Sequence, residues 1–376
     1  MLHSLLPIVL VLGEASGAQI HVPKDFPTIQ TAVNAAGPDA TIFVKKGVYA
    51  ESVSLDGKSH VVVIGLGKPI VSPGGAGPGF VLHQSPGCEV RGFDVRDSLS
   101  DGISIDESDG ARVSKCRVSQ PLLAGIRVLN SNGVTVDGNR IEKPVGRGID
   151  ATAVGKSIFA KNTVVLSVGT GIRLLDCPGV LVLQNTVTES ADDGIEIAGT
   201  SNNVQVEKNK VRLAAEDGIA IAGSQHLVSL NQVSKSGDVG IVVQGDGSTI
   251  EKNRISESAD AGLEMLAGAT GHTLRSNSVS KSHDDGFHLA GDNCTFLLNR
   301  SSASDENGFE ILGQGNSFES NKAAASQQNG FEVDGPTNSF VKNSAAGSGD
   351  FDLADFAGVG ANTYTSNHFK TSSFED

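Results

Sequence analysis

A glycine followed by an apolar-x-apolar triplet returns along this chain at an almost constant interval, and Gly194-Ile195-Glu196-Ile197 is one copy. The glycines run from Gly102 to Gly330, 22 to 24 residues apart. An asparagine keeps the same beat from Asn139 to Asn367. A repeat of this length is the mark of a solenoid, in which each turn buries itself against its neighbours. Within one interval, Ile195-Glu196-Ile197, Val204-Gln205-Val206 and Lys210-Val211 read as strands by period two, and no helical pattern fits between them. The spacing predicts three short strands and three corners per turn, with equivalent strands stacked in parallel at about 4.8 Å.

The asparagine is expected at a tight inward corner, where its amide can pair along the axis with copies in adjacent turns. A shorter column appears late, at Asn316, Asn338 and Asn362. Two aromatic files are expected inside the last turns. One is Phe287, Phe309, Phe331 and Phe351; the other is Phe296, Phe318, Phe340 and Tyr364.

The repeat G-[IF]-x-[IVL] followed by V-x-x-N-x-V resembles that of right-handed parallel β-helix proteins. These include pectate-lyase-like enzymes, mannuronan C5-epimerases and a periplasmic group that assists nitrous-oxide reductase maturation. The regular repeats span residues 80–370. The resemblance implies an all-β, single-stranded right-handed parallel β-helix. It selects no single activity, because one fold hosts many chemistries.

Met1 to Ala18 reads as a signal peptide, with an apolar core at Leu5–Leu12 and small residues at Ser16-Gly17-Ala18. His3 stands where a lysine or arginine is usual, and a buried first strand is the competing reading. No other stretch is long and apolar enough to span a membrane. An exported protein is expected, either secreted, periplasmic or at the cell surface, with residues 19–376 as one domain. Residues 19–72 read as an N-terminal cap and first turns. There, Asp25 and Pro27 are placed to start a short helix whose Ile29, Ala32, Val33 and Ala36 share one face. Such a helix would plug the open first rung. This opening also resembles the start of pectin methylesterases, but their later catalytic segments are missing. Thr371 to Asp376 lose the pattern and are expected to fray.

Cys88, Cys116, Cys177 and Cys294 fall in different turns or different columns. Cys88 and Cys294 share a column but stand nine turns apart, roughly 40 Å at the strand spacing. Four buried free thiols are expected rather than disulfides. No Cys/His spacing suggests zinc, and two methionines argue against a copper site.

The polar residues around each glycine carry the candidate chemistry. Two residues before it stands an acid in six consecutive turns: Asp192, Glu216, Asp238, Asp260, Asp284 and Glu306. Stacked carboxylates repel one another and invite a cation, so calcium is the candidate cofactor, with Glu216, Asp238, Asp260 and Asp284 as ligands. No organic cofactor is indicated. Asp before Gly is also ordinary turn chemistry, and an acidic stripe keeps a protein soluble. In the resembling enzymes the substrate groove runs along the strand after the glycine and the corner before it. That places candidate substrate contacts at Arg127, Arg173, Asp192, Asp193, Glu196 and Glu264. A surface ion-pair ladder explains the alternating Arg127-Asp150-Arg173-Glu196 file without function. His283, Asp284, Asp285 and His288 are the densest cluster and the candidate catalytic set. A histidine beside carboxylates is suited to removing the proton next to a uronate carboxyl.

Two classes of function follow. One is an exported enzyme or binder acting on an acidic polysaccharide, including a calcium-assisted uronate lyase or C5-epimerase. The other is a non-catalytic scaffold or surface adhesion module. A net charge of −14 disfavours nucleic acid as a partner and requires cations to bridge to a polyuronate.

Overall fold

The structure is a computed structural model that describes residues 17–75 and 77–373. The expected leader lies outside these residues apart from Gly17 and Ala18. Strands follow one another around three long parallel sheets, of sixteen, fourteen and fourteen strands. The first sheet begins at Gln19–Val22 and ends at Thr363–Thr365. The second runs from Val53–Ser54 to Leu353–Asp355 and holds every strand that follows a recurrent glycine. The third runs from Val48–Tyr49 to Ser344–Ala346 and holds the strands after the asparagines. Each strand pairs in register with its equivalent one turn away, as in Ile172↔Ile195↔Ile219. Alternation then sends one set of side chains into a continuous core and the other outward.

The recurrent glycine has a steric cause. A Cβ on Gly194 would lie 2.2 Å from Val211 Cγ1 and 2.5 Å from the Gly218 carbonyl. The second sheet meets the third too closely there for any side chain.

The asparagine corner is fixed by hydrogen bonds. Asn231 Nδ2 donates to the Val206 carbonyl at 2.8 Å and to Asn253 Oδ1 at 3.0 Å. Its backbone N–H donates to the same Oδ1 at 3.0 Å, and its own Oδ1 accepts from Asn209 in the same way. The preceding residue is left-handed, with φ 58° at Leu230 and 55° at Lys208. These residues are not glycine, so the amide bonds offset a backbone cost of about 1–2 kcal/mol at each corner.

A second polar file closes the corner between the second and first sheets. Val204 N–H donates to His226 Nδ1, Ser248 N–H to His272 Nδ1, His272 N–H to Cys294 Sγ, and Cys294 N–H to Asn316 Oδ1. Asn338 and Asn362 continue it. All four cysteines are buried free thiols, and burial pushes Cys116 and Cys177 up to about 11.

Both ends differ from expectation. The helix Ile29–Ala35 is capped by Thr28 in a reciprocal pair with Thr31, not by Asp25. Asp25 Oδ2 instead accepts from the His21 N–H at 2.8 Å, three residues before the capping Thr28. Glu51 also caps that helix, accepting from Ile29 and Gln30 at 2.8 and 2.9 Å. At the other end, Phe351 is exposed and Leu353 takes the register position beneath Phe331. Phe369 closes that stack edge-on, 5.5 Å from Phe331. The second file stacks through Phe296, Phe318, Phe340 and Tyr364 at 4.5, 4.8 and 4.9 Å. Thr371 to Ser373 do not fray but lie along the last rung, where the Leu353 N–H donates to the Thr371 carbonyl at 3.2 Å and the Asp355 N–H to Ser373 Oγ at 3.1 Å. Residues 374–376 lie outside the described part.

Candidate functional site

The outward positions of the second sheet bring Arg127, Asp150, Arg173, Glu196, Ala220, Val242, Glu264, His288, Glu310 and Glu332 into one file. The corner just before these strands holds the paired acids. The two rows together make a face that is cationic at its N-terminal end and acidic beyond Glu196.

At the cationic end Asp150 lies between Arg147 at 3.6 Å and Arg173 at 3.4 Å. Arg173 also reaches Glu196 at 3.4 Å, and Arg127 reaches the buried Asp101 at 3.7 Å. The Nε atoms of Arg127 and Arg147 are buried without a hydrogen-bond partner. Arg147 escapes a search for outward strand positions because it sits immediately before Gly148, at the corner.

The acid immediately before Gly194, Gly218 and Gly286 has a backbone role. Asp193 Oδ1 accepts from the Asp217 N–H at 3.1 Å, Asp217 Oδ1 from Val239 at 3.1 Å, and Asp285 Oδ1 from Asn307 at 2.9 Å. Asn307 and Asn329 do the same later with a neutral amide. The spacing alone does not separate this bonding from a ligand-facing role.

Asp192, Asp193 and Glu216 place carboxylate oxygens within 4.8 Å of one another. Burial, with Asp217 nearby, pushes Asp193 up to about 7. Burial also works against ionisation of Asp192, but hydrogen bonds with Glu216 and Thr170 outweigh it and hold Asp192 low. Glu216 is raised by its contact with Asp192. Burial raises Asp217 to about 6, and burial with Asp260 as neighbour raises Asp238. Asp260 in turn shares a hydrogen bond with Asp284, which burial and that contact raise to about 8.

A second group gathers Asp285, His288 and Glu310. His288 Nδ1 contacts the Glu310 carboxylate and lies 3.4 Å from Asp285 Oδ2. Hydrogen bonds to these two carboxylates raise His288 to about 10, so the imidazole is charged. Glu264 neighbours His288 in register, and its carboxyl is raised by burial. Glu310 also approaches Glu332 and Asp334. His283 stands apart from this group: it is exposed and its Nδ1 lies 3.0 Å from Asp305 Oδ2. Asp334 and Asp305 carry no signal in the glycine-centred repeat.

A parallel β-solenoid with one long, charged outer face is the class this geometry defines. The model of the right-handed beta helix region matches residues 78–232 and 217–374, and the chain belongs to that family. No curated protein sequence matches it. Among solved structures it is similar to the A-module of a mannuronan C-5 epimerase from Azotobacter vinelandii, at 14% identity and a TM-score of 0.55, covering 92% of this chain and 94% of that one. The receptor-binding tailspike of bacteriophage Det7 is similar at 13% identity and a TM-score of 0.59, covering 81% and 73%. The catalytic domain of a GH87 alpha-1,3-glucanase in complex with nigerose is similar at 13% identity and a TM-score of 0.51, covering 93% and 69%. Carbohydrate-acting proteins thus recur among its neighbours, at identities that establish the fold alone. No helix among the described residues is long and apolar enough to cross a membrane.

Proposed function

We propose that this exported protein binds and processes an acidic polysaccharide laid along the outer face of the second sheet, as a calcium-assisted uronate lyase or C5-epimerase. The observation that carries this reading is the Asp192–Asp193–Glu216 cluster, where three carboxyl groups meet within 4.8 Å and one is raised to about 7. Such a cluster gains from a cation with oxygen ligands, and Glu216, Asp238, Asp260 and Asp284 continue it along the axis. Bound calcium would supply positive charge to a uronate carboxylate and acidify the adjacent C–H.

The chain's own residues divide the remaining work. Arg127, Arg147 and Arg173 orient polymer carboxylates through the exposed ends of their guanidinium groups. Glu264, raised by burial, is the base that takes the C5 proton. His288, held charged by Asp285 and Glu310, is the acid. In a lyase the C4–O bond breaks as the C4=C5 bond forms, and His288 protonates the leaving oxygen. In an epimerase a proton returns to C5 from the opposite side of the ring.

A second reading, glycosidic hydrolysis, is favoured by one observation: Asp192 is held low beside Asp193, which is raised, and so the two carboxyl groups are split into a base and an acid. Incubation with alginate, pectate and α-1,3-glucan, each with calcium and with chelator, tests both readings. New unsaturated ends mean a lyase, altered uronate stereochemistry an epimerase, and saturated reducing ends a hydrolase. Binding without turnover would leave a non-catalytic adhesion module, and no binding to any polymer would overturn the proposal.

A further inference from the structure

The third sheet presents a different face. From Thr163 to Ala346 its outward positions contain no carboxylate, in a chain with 43 acidic and 29 basic residues. Lys210, Arg254, Arg300 and Lys322 occupy one file of that face, with Gln232 and Ser278 between the first three. All four cations are exposed, and none makes an ion pair among the described residues. Lys210, Arg254 and Arg300 recur every second turn, roughly 9.6 Å apart at the parallel-strand spacing.

The same face is concave. A groove of about 590 Å³ runs along the asparagine corner, lined by Gln232, Lys252, Arg254, Ser278, Leu298 and Arg300. Leu298 is 54% exposed and offers an apolar surface at the groove's edge. Glu251, which precedes the groove residue Lys252, is paired with Lys252 at 3.1 Å and with Arg275.

We propose that this groove binds a linear anionic polysaccharide that presents a carboxylate or sulfate to the groove from alternate sugars. One strand spacing is close to the length of a pyranose in an extended chain, so a cation every second turn meets one charge per disaccharide. The polar Gln232 and Ser278 face the intervening hydroxyls, and Leu298 covers a sugar's apolar face. Local charge of the opposite sign allows a protein of net charge −14 to hold a polyanion here without the bridging cations that its acidic face requires. The surface stands whether or not the second sheet is catalytic, because its residues lie on a different face.

The test is direct binding of the whole protein, with chelator present to remove calcium bridges at the second sheet, to alginate, dextran sulfate, uncharged dextran and single-stranded DNA at 20 and 200 mM salt. The wild type should bind alginate or dextran sulfate, more weakly at high salt, and should ignore uncharged dextran. Lys210→Gln with Arg254→Gln and Arg300→Gln should weaken that binding at least tenfold, with an unchanged circular dichroism spectrum. Lys45→Gln with Lys46→Gln, exposed cations near the N-terminal end, should leave it intact. Unchanged binding by the triple variant would overturn the proposal. So would equal retention of uncharged dextran, and equal affinity for single-stranded DNA would overturn the glycan as the occupant.

Discussion

The imidazole of His288 faces the carboxylate of Glu310 across one strand spacing of the second sheet, with Asp285 Oδ2 3.4 Å from the same nitrogen. Glu310→Gln should lower the His288 pKa by at least one unit, read by NMR titration of the ring. The folded value, about 10, lies above the ordinary imidazole value of 6.5. This pairing therefore contributes stability in full below about pH 6.5, and loses it as pH rises toward 10. His288→Ala should cost about 1.5–3 kcal/mol at pH 7. An unshifted titration in Glu310→Gln would mean that the two groups do not interact.

Asp193 and Asp217 are raised from 3.8 to about 7 and about 6. Their protonated forms are favoured by the fold, so stability falls as pH rises from 3.8 through those values. Asp193→Asn with Asp217→Asn keeps an acceptor for the backbone N–H, as Asn307 and Asn329 already do. The double variant should melt higher than wild type at pH 8 and equally at pH 3.5. Millimolar calcium should raise the wild-type Tm more than the variant's, by mass action. Identical wild-type melting with calcium and with chelator would remove calcium from the site.

His226 and His272 accept a backbone N–H at Nδ1 and donate from Nε2 to the Ala222 and Gly245 carbonyls. Burial lowers both from 6.5, so the neutral ring belongs to the fold. Stability should therefore fall as pH drops below about 6.5, where the unfolded chain takes up protons that the fold resists. His226→Asn with His272→Asn copies the residue found in this file at Asn316 and Asn338. It should flatten the Tm profile between pH 5 and 7. A slope equal to wild type would trace the acid sensitivity to other groups.

Asn231→Leu removes the bonds to Val206 and Asn253 and leaves the Asn209 amide without its acceptor. The cost should be about 1–3 kcal/mol for each buried group left unpaired. Asn231→Asp, which can accept but not donate, should fall between wild type and leucine. Equal melting of wild type and the leucine variant would place the energy of the corner elsewhere.

The period of Gly194 and Asn209 made the fold readable, because one geometry is repeated and each copy reports on the others. The rows of outward residues followed from that register. The ends were harder to read. Thr28 rather than Asp25 caps the helix, and Phe369 rather than Phe351 closes the aromatic stack, because no neighbouring copy sets the pattern there. At the candidate site, periodicity finds Asp193 and Asp285 but cannot show that one oxygen of each is committed to a backbone N–H. Arg147 and Asp334 meet the site from corners and strand ends, where side-chain direction depends on local φ and ψ. His283 lies near His288 in sequence but turns to Asp305 in the next rung.

The unequal occupants of the second polar file carry a further consequence. A stack of interchangeable turns could assemble one whole turn out of step and still keep every alternation of inward and outward residues. Serine, histidine, cysteine and asparagine differ in reach and in donor capacity, so each accepts its partner N–H well at its own level only. Among the described residues, phenylalanine rings stack face to face in the last turns, while Phe80 and Phe93 meet tilted in an early one. These residues serve as addresses, marking which rung is which along a chain whose backbone cannot tell them apart.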